Sequence, residues 1–411
     1  VPLRHLFIDM NSFFASVEQQ YDHKLRYRPV AVIPTKAETT SCIAASYEAK
    51  AGGVKTGTPV WEARKLCPGI VFVTGEHRRY VTMHNRILAA VRSVIPIEKV
   101  VSIDEMSCRL TSAEREPEKI ALLAQKIKSA IRTLAGDYMA CSIGAGPSTL
   151  LAKVAADMEK PDGLTVLTDA DLPYKLHKLR LNDFPGVGPR MERRLNRHGI
   201  FTAAQFCAAP AQALAKVWGS KIHGERWYRL LRGEEVADTP TRRQTVSHSH
   251  VLPPELRTDA GAYGVLIRLV HKAAARLRKI NYWAGSISVG VRFLDADRGD
   301  AVRWEESVRV PRCRDTQAFV AAAAKMWEHR PRGRTPFKVS MVLSELVPAR
   351  SATPSLFDDD HQAEDLSHAM DEVNAEFGAS VVYLGSMFGM RDAAPSRVAF
   401  TQIPDFDRRV N

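Results

Sequence analysis

Residues 3–18 read LRHLFIDMNSFFASVE. The first half, Leu3 to Asp9, is an apolar run that predicts a buried strand, and it ends on a carboxylate. The second half, from Phe13 to Gln20, has helical spacing, with Ser12 in the N-cap position. An isolated carboxylate at the end of a buried strand is costly unless cations neutralise it. A second acidic pair, Asp104 and Glu105, interrupts the apolar run VVSIDEMSC. Three carboxylates meeting at the edges of adjacent strands suit hard divalent cations with oxygen ligands, above all Mg²⁺. Two such ions would clamp the attacking and leaving oxygens of an in-line phosphoryl transfer. The plainer alternative makes Asp9 a helix cap and Asp104–Glu105 a turn.

Outward from this stretch, strand and helix patterns interleave. PVAVIP and SCIAAS, within residues 28–46, read as strands separated by the polar TKAETT. A short WEARKLC helix and a helix-patterned stretch over 78–95 follow. VVSIDEMSCRL reads as one short strand, Pro117 to Ala135 as a long helix, MACSIGAG as a strand and STLLAKVAADMEKP as a helix. Residues 166–232 turn helical and basic. The polar, pattern-poor 233–249 read as an interdomain linker. Beyond it GVLIRLVHKAAARLRKI is an amphipathic helix, SISVGVRF a strand and RTPFKVSMVLSEL a closing strand. The tail from 349 is flexible, then mostly polar. The expected fold class is mixed α/β, an α+β multidomain chain.

The 411 residues are too many for a single core, so two to four domains are expected. With 45% hydrophobic and 25% charged residues, the composition excludes collagenous, disordered and disulfide-stapled classes. No apolar run approaches a membrane span, and no signal peptide stands before the first strand; the leading Val1 suggests that an initiator Met has been removed. The six cysteines (42, 67, 108, 141, 207 and 313) form no CxxC pair and read as reduced thiols of a cytoplasmic protein. The net charge of +12 is uneven: +9 over residues 1–241, +10 over 242–350 and −7 over 351–411. A basic body points to a polyanion partner, although charge alone does not separate nucleic acid from an anionic membrane.

FIDMNSFFASVE, SYEAKAGGVKTGTP, VVSIDE, CSIGAGPSTLLAKVAADMEKPDGL and DFPGVGPRM occur in this order. The succession resembles the Y-family DNA polymerases, the translesion enzymes, and their bacterial DNA polymerase IV group, from about Leu3 to Leu346. The resemblance implies a right hand: palm over 1–20 and 75–165, fingers over 21–74, and a small thumb over 166–232 with a helix-hairpin-helix. After the linker at 233–249 it implies a little finger over 250–348 and an acidic tail over 349–411. It also implies that Asp9, Asp104 and Glu105, with the main-chain carbonyl of Met10, hold two Mg²⁺ ions. The expected reaction is error-prone, template-directed transfer from a dNTP to a primer 3′-hydroxyl, with pyrophosphate leaving.

Nucleotide contacts are expected from Phe13, Phe14, Tyr47, Lys50 and Lys160. In the resemblance Phe14 is the steric gate against a ribose 2′-hydroxyl, while as bare sequence the Phe pair reads as core. Tyr47 and Lys50 suit phosphate oxygens; Lys50 stands where the family usually has Arg, which removes a bidentate fork. Lys160 matches the family's triphosphate lysine, and Lys153 has no comparable role in the pattern. Asn11 replaces a common Asp, and Thr149 stands where a lysine is frequent. In DFPGVGPRMERRLNRHGI, Gly186 and Gly188 permit a turn whose N–H groups face a DNA phosphate, flanked by Arg190, Arg193 and Arg194. Leu356 and Phe357, in TPSLF, resemble a sliding-clamp peptide without its leading Gln. A monomer in the cytoplasm, acting on primer-template DNA and dNTP, is expected. A non-catalytic adaptor that binds DNA and clamp, and a two-metal nuclease, are the alternatives.

Overall fold

The computed structural model describes residues 2–38, 40–237, 242–294, 301–351, 361–378, 380–395 and 403. They fall into two compact units, residues 1–238 with 397–406 and residues 239–396 with 407–411.

The opening strand, His5–Met10, is buried along its whole length. It lies antiparallel between Glu105–Arg109 and Cys141–Gly146, in a sheet whose outer strands are Ile97–Val100 and Leu164–Val166. One face, with Leu6, Ile8, Met10 and Ile143, packs against the helices His77–Arg92 and Pro117–Ala135 through Ile87, Val91, Ile127 and Ile131. The other face carries Phe7, covered by Ala152 and Ala156 of the helix Thr149–Met158. That approach needs Gly144, because a Cβ there would stand 2.1 Å from the Ala152 carbonyl. A smaller sheet sets Val30–Ile33 between Ala44–Ala45 and Val71–Thr74. Residues 189–231 form the helices Pro189–Arg197, Ala203–Ala208, Ala211–Trp218 and Lys221–Leu231, around Phe184, Phe206 and Trp227.

Three expectations for this unit change. VVSIDEMSCRL is a hairpin arm rather than one strand. The chain turns at Val101–Asp104, where Val101 and Ser102 N–H groups both donate to the Glu105 carbonyl at 2.9 and 3.1 Å. Ser12 begins its helix in the left-handed region (φ +49°) and its hydroxyl caps nothing. SCIAAS contributes Ala44–Ala45 as a strand, and Ser41 only as an isolated bridge to Pro59.

The second unit is a sheet in the order Ala301–Cys313, Tyr282–Leu294, Thr335–Ser344, Val246–Val251. The helices Asp259–Lys279 and Thr316–Glu328 cover the face bearing Ile287, Val289, Val291, Val339 and Met341. The linker expected over 233–249 is too long, since Val246–Val251 is an edge strand. Its VSHSHV reads as polar because Ser247 and Ser249 alternate with the buried Val246 and His250. Ala301–Cys313 escaped the sequence reading because charges stand on both of its faces. The mostly polar tail holds a helix, His361–Phe377, pinned where Asp371 accepts from Arg278 Nε at 2.6 Å. Leu356 and Phe357 lie outside the described residues.

Candidate active site

The hairpin places the three carboxylates. Asp9 is the Cα partner of Glu105 across the sheet, and Met10 N–H donates to the Asp104 carbonyl at 2.9 Å. Asp104 and Glu105 therefore sit where turn becomes strand, beside the end of the opening strand. Two lysines of the following helix and loop reach into the cluster. Lys160 Nζ is 2.8 Å from Asp9 Oδ1 and 2.7 Å from Asp157 Oδ1. Lys153 Nζ contacts Glu105 Oε1 and lies 3.9 Å from Asp9 Oδ2. Ser102 donates its hydroxyl to Asp104 Oδ1.

Burial dominates the electrostatics. It pushes the Asp9 carboxyl up to about 6 against the pull of Lys160. It raises Asp104 too, opposed by the Ser102 hydrogen bond and reinforced by Asp9. Burial also works against the charge of Lys160, but Asp9 and Asp157 outweigh it and hold that ammonium above its ordinary range. Carboxylates this far out of water need positive charge. Among the described residues no three His, Cys, Asp or Glu side chains converge as a finished metal cage; the two lysines supply the cations instead. The donor set, anionic oxygens buried at one end of two adjacent strands, fits a hard divalent ion.

Around this cluster the expected residues divide. Lys50 Nζ donates to Ser12 Oγ at 2.7 Å and stands 4.4 Å from the centre of the Tyr47 ring. Burial, then Lys160, lowers the Lys50 pKa, while burial raises that of Tyr47. Phe13 is core. Phe14 is backed by Tyr80, ring centres 4.4 Å apart, and the Tyr80 hydroxyl donates to Glu18 Oε1 at 2.6 Å. Asn11 is buried: its Nδ2 donates to Ser142 Oγ at 3.1 Å and its Oδ1 accepts from Asp162 N–H at 2.8 Å. It thus ties the loop that follows Lys160 to the sheet.

Sequence reasoning undervalued Lys153, and it missed Asp157, Ser102 and the Tyr80–Glu18 brace. The spacing of Lys153, Asp157 and Lys160, i,i+4 and then i,i+3, was the available signal. Beside Lys153 opens a cleft of about 590 Å³ whose lining includes Lys99, Pro185 and Arg226.

Gly186 has φ +92°, and a Cβ there would meet Trp227 at 3.3 Å. Gly188 is the N-cap of Pro189–Arg197, on which Arg190, Arg193 and Arg194 are exposed. The element before the turn is a single 3₁₀ turn, Leu181–Asp183, rather than a full helix, because Pro185 follows at once. In the second unit the outer sheet face aligns Arg303, Arg292 and Lys338 as direct cross-strand partners. Burial and then Arg292 lower the Lys338 pKa. Arg303 is paired with Glu305 two residues along its strand, which leaves Arg292 and Lys338 as like charges facing each other, an arrangement that destabilises a sheet.

Comparison with known proteins fits this layout. The impB/mucB/samB family matches residues 8–157, and the C-terminal domain of the same family matches 243–356. DNA polymerase IV of Moorella thermoacetica is 34% identical over 387 residues, covering 92% of this chain and 94% of that protein. DNA polymerase IV 1 of Bacillus subtilis is 27% identical over 405 residues, with 96% and 95% covered. Among solved structures, the Y-family DNA polymerase chimera Dbh-Dpo4-Dbh matches with TM-score 0.66 at 24% identity, covering 84% of this chain and 99% of that one. Fold and relatives together define a DNA polymerase. The chain belongs to the impB/mucB/samB family, the Y-family DNA polymerases, with their palm, fingers, thumb and little-finger architecture. It is a DNA-directed DNA polymerase of translesion synthesis, working on DNA and nucleotide with a divalent metal; the adaptor reading is not favoured. No helix among the described residues is long and apolar enough to cross a membrane.

Proposed function

We propose that Asp9, Asp104 and Glu105, with the Met10 carbonyl, hold two Mg²⁺ ions for transfer from a dNTP to a primer 3′-hydroxyl. The observation that supports this most is the meeting of Asp9 with Glu105 across the sheet, Asp104 beside them, where Lys160 and Lys153 are the cations in contact with Asp9 and Glu105. When bound, the ions lower the hydroxyl's pKa and neutralise the triphosphate. Lys160, at 2.8 Å from Asp9 Oδ1, would hold triphosphate oxygens beside that carboxylate. Tyr47 and Lys50 bind the same group from the fingers, with Ser12 fixing the Lys50 ammonium. Phe14, braced by Tyr80, closes the space where a ribose 2′-hydroxyl would sit. Lys153 faces the cleft with Lys99 and Arg226 and steadies the primer backbone. Gly186, Gly188, Arg190 and Arg193 hold the duplex backbone, as does the Arg303–Arg292–Lys338 row.

The right-hand division proposed is palm over 1–20 and 75–165, fingers over 21–74, thumb over 166–232 and little finger from Val246, the start of its edge strand. On sequence grounds Leu356 and Phe357 dock in an apolar pocket of a sliding clamp, and the protein works as a monomer. The relatives are bacterial, where DNA lies in the cytoplasm, so that is the compartment proposed. Primer extension with Mg²⁺ and four dNTPs tests the reading. The intact chain should extend a primer in short runs and lose this on chelation. Tight DNA binding with no extension would overturn it. Leu356→Ala with Phe357→Ala should abolish stimulation by clamp and spare clamp-free extension.

A further inference from the structure

The turn that follows Lys160 is held from two directions. From the sheet, Asn11 Oδ1 accepts from Asp162 N–H at 2.8 Å, and Ser142 Oγ accepts from Gly163 N–H at 3.3 Å. The second hold comes from the helix Pro117–Ala135, where Lys128 and Arg132 stand four residues apart on one face. Arg132 Nη2 is 3.1 Å from Asp162 Oδ2, and Lys128 Nζ is 3.1 Å from Asp162 Oδ1. Lys128 Nζ also donates to the main-chain carbonyl of Asp162 and, at 3.1 Å, to that of Gly163. An ammonium has three N–H groups, and these are three acceptors from two residues of one turn.

Lys119 and Lys126 of the same helix are exposed, whereas the Lys128 side chain is only 14% exposed. Taking an ammonium out of water is costly unless it is paired, so Lys128 is committed to this turn in a way its neighbours are not. Asp162 itself lies in the left-handed region, φ +54°. A side-chain-bearing residue keeps that backbone only where its surroundings fix it. Two residues earlier stands Lys160, whose ammonium is 2.8 Å from Asp9 Oδ1. Freeing Asp162 would let the turn relax and shift the main chain from which Lys160 projects. The contacts of Glu105 with Lys153 and of Asp104 with Ser102 come from other elements and would stay.

We propose that Lys128 and Arg132 are positioning residues for the incoming nucleotide: through Asp162 they fix the turn that aims Lys160 at the triphosphate. The inference rests on the role proposed for Lys160 above. A partly exposed ion pair such as Arg132–Asp162 adds little to stability, so a merely structural role predicts a small change in melting and none in KM. Single-nucleotide insertion by the full chain on primer-template, with Mg²⁺, tests the proposal. Lys128→Met with Arg132→Ala should raise KM for dNTP about tenfold and change kcat by less than about threefold. Arg132→Lys in place of Arg132→Ala should restore part of the loss. In Lys160→Ala, which should itself raise KM, the same two substitutions should add little, because they act through that ammonium. Hydrogen exchange of the free protein in EDTA reads the turn without metal or substrate: the Asp162 and Gly163 amides should exchange faster in the double variant. Faster exchange with KM unchanged would overturn the proposal and leave the role of Lys160 standing, as would a fully additive rise in KM on Lys160→Ala. An unchanged KM in Lys160→Ala alone would overturn the triphosphate assignment and the positioning role with it. Should Lys128→Met fail to fold by circular dichroism, Arg132→Ala alone, at a half-exposed side chain, carries the same test.

Discussion

At the ends of the opening strand and its hairpin partner, charges of both signs are paired out of bulk water; across the second sheet, Arg292 and Lys338 stand side by side on an open face. In the first region Asp9 is 7% exposed and held by Lys160 at 2.8 Å, so each charge depends on its neighbour and on the exclusion of water. In the second, Arg292 faces Arg303 on one side and Lys338 on the other. The buried cluster is built for a few localised charges, with geometry fixed by strand register. The open row suits a long, regularly charged ligand and needs no single geometry. In the function proposed above, chemistry belongs to the first kind of site and sequence-independent grip to the second.

The sharpest break of the contrast is Asp104→Ala. It removes one oxygen donor from the buried cluster and should cost extension about 10³-fold or more, several kcal/mol of transition-state stabilisation, while primer-template binding changes little. Equal losses of binding and extension would erase the distinction. Phe14→Ala opens the wall beside that cluster and should raise ribonucleotide incorporation on the order of 10²-fold, read as the ratio of kcat/KM for rNTP over dNTP. Tyr80→Phe, which keeps the ring stack and loses the bond to Glu18, should give a smaller shift in the same ratio.

Acidification should act on Asp9 and on the buried histidines in opposite senses. Asp9 has its native pKa raised to about 6, so the native state binds the extra proton between about pH 4 and 6 and this group favours folding as pH falls, whereas His5 of the same strand and His84, both lowered by burial, favour unfolding. His248 and His271 are lowered to about 4 by burial and then by neighbouring cations. There the unfolded state binds the extra proton, so the second unit loses stability as pH falls from about 6.5 to 4, by up to roughly 3 kcal/mol per histidine. Hydrogen exchange at pH 7 and pH 5 should therefore show the Asp259–Lys279 helix loosening.

Asn11→Ala removes two buried hydrogen bonds and should cost about 1–3 kcal/mol in denaturant melts. Because Asn11 anchors Asp162, it should also raise KM for dNTP through Lys160 with a smaller change in kcat. The smallest effects belong to the open row: Arg292→Ala or Lys338→Ala should weaken DNA binding alike for all sequences. Each should reduce the salt slope of binding by about 1.

Much of the first region was legible in the order of its residues. A carboxylate ending LRHLFID, and two more inside VVSIDEMSC, are expensive wherever the chain puts them, so the sequence alone flagged Asp9, Asp104 and Glu105 as needing cations. Apolar periodicity likewise located the helix Pro117–Ala135 and the strand Cys141–Gly146. What sequence could not show was pairing. Whether VVSIDE runs straight or turns depends on Glu105 meeting Asp9 across the sheet, a contact of high sequence separation. The same holds for Lys153, a surface-type lysine by pattern that gains its partners only when its helix crosses the sheet at Gly144. Ala301–Cys313 and the Arg303–Arg292–Lys338 row were hidden because charges on both faces of that strand break the apolar alternation that marks a strand in sequence. Local chemistry thus determined which groups had to be neutralised, and long-range register alone decided what neutralises them.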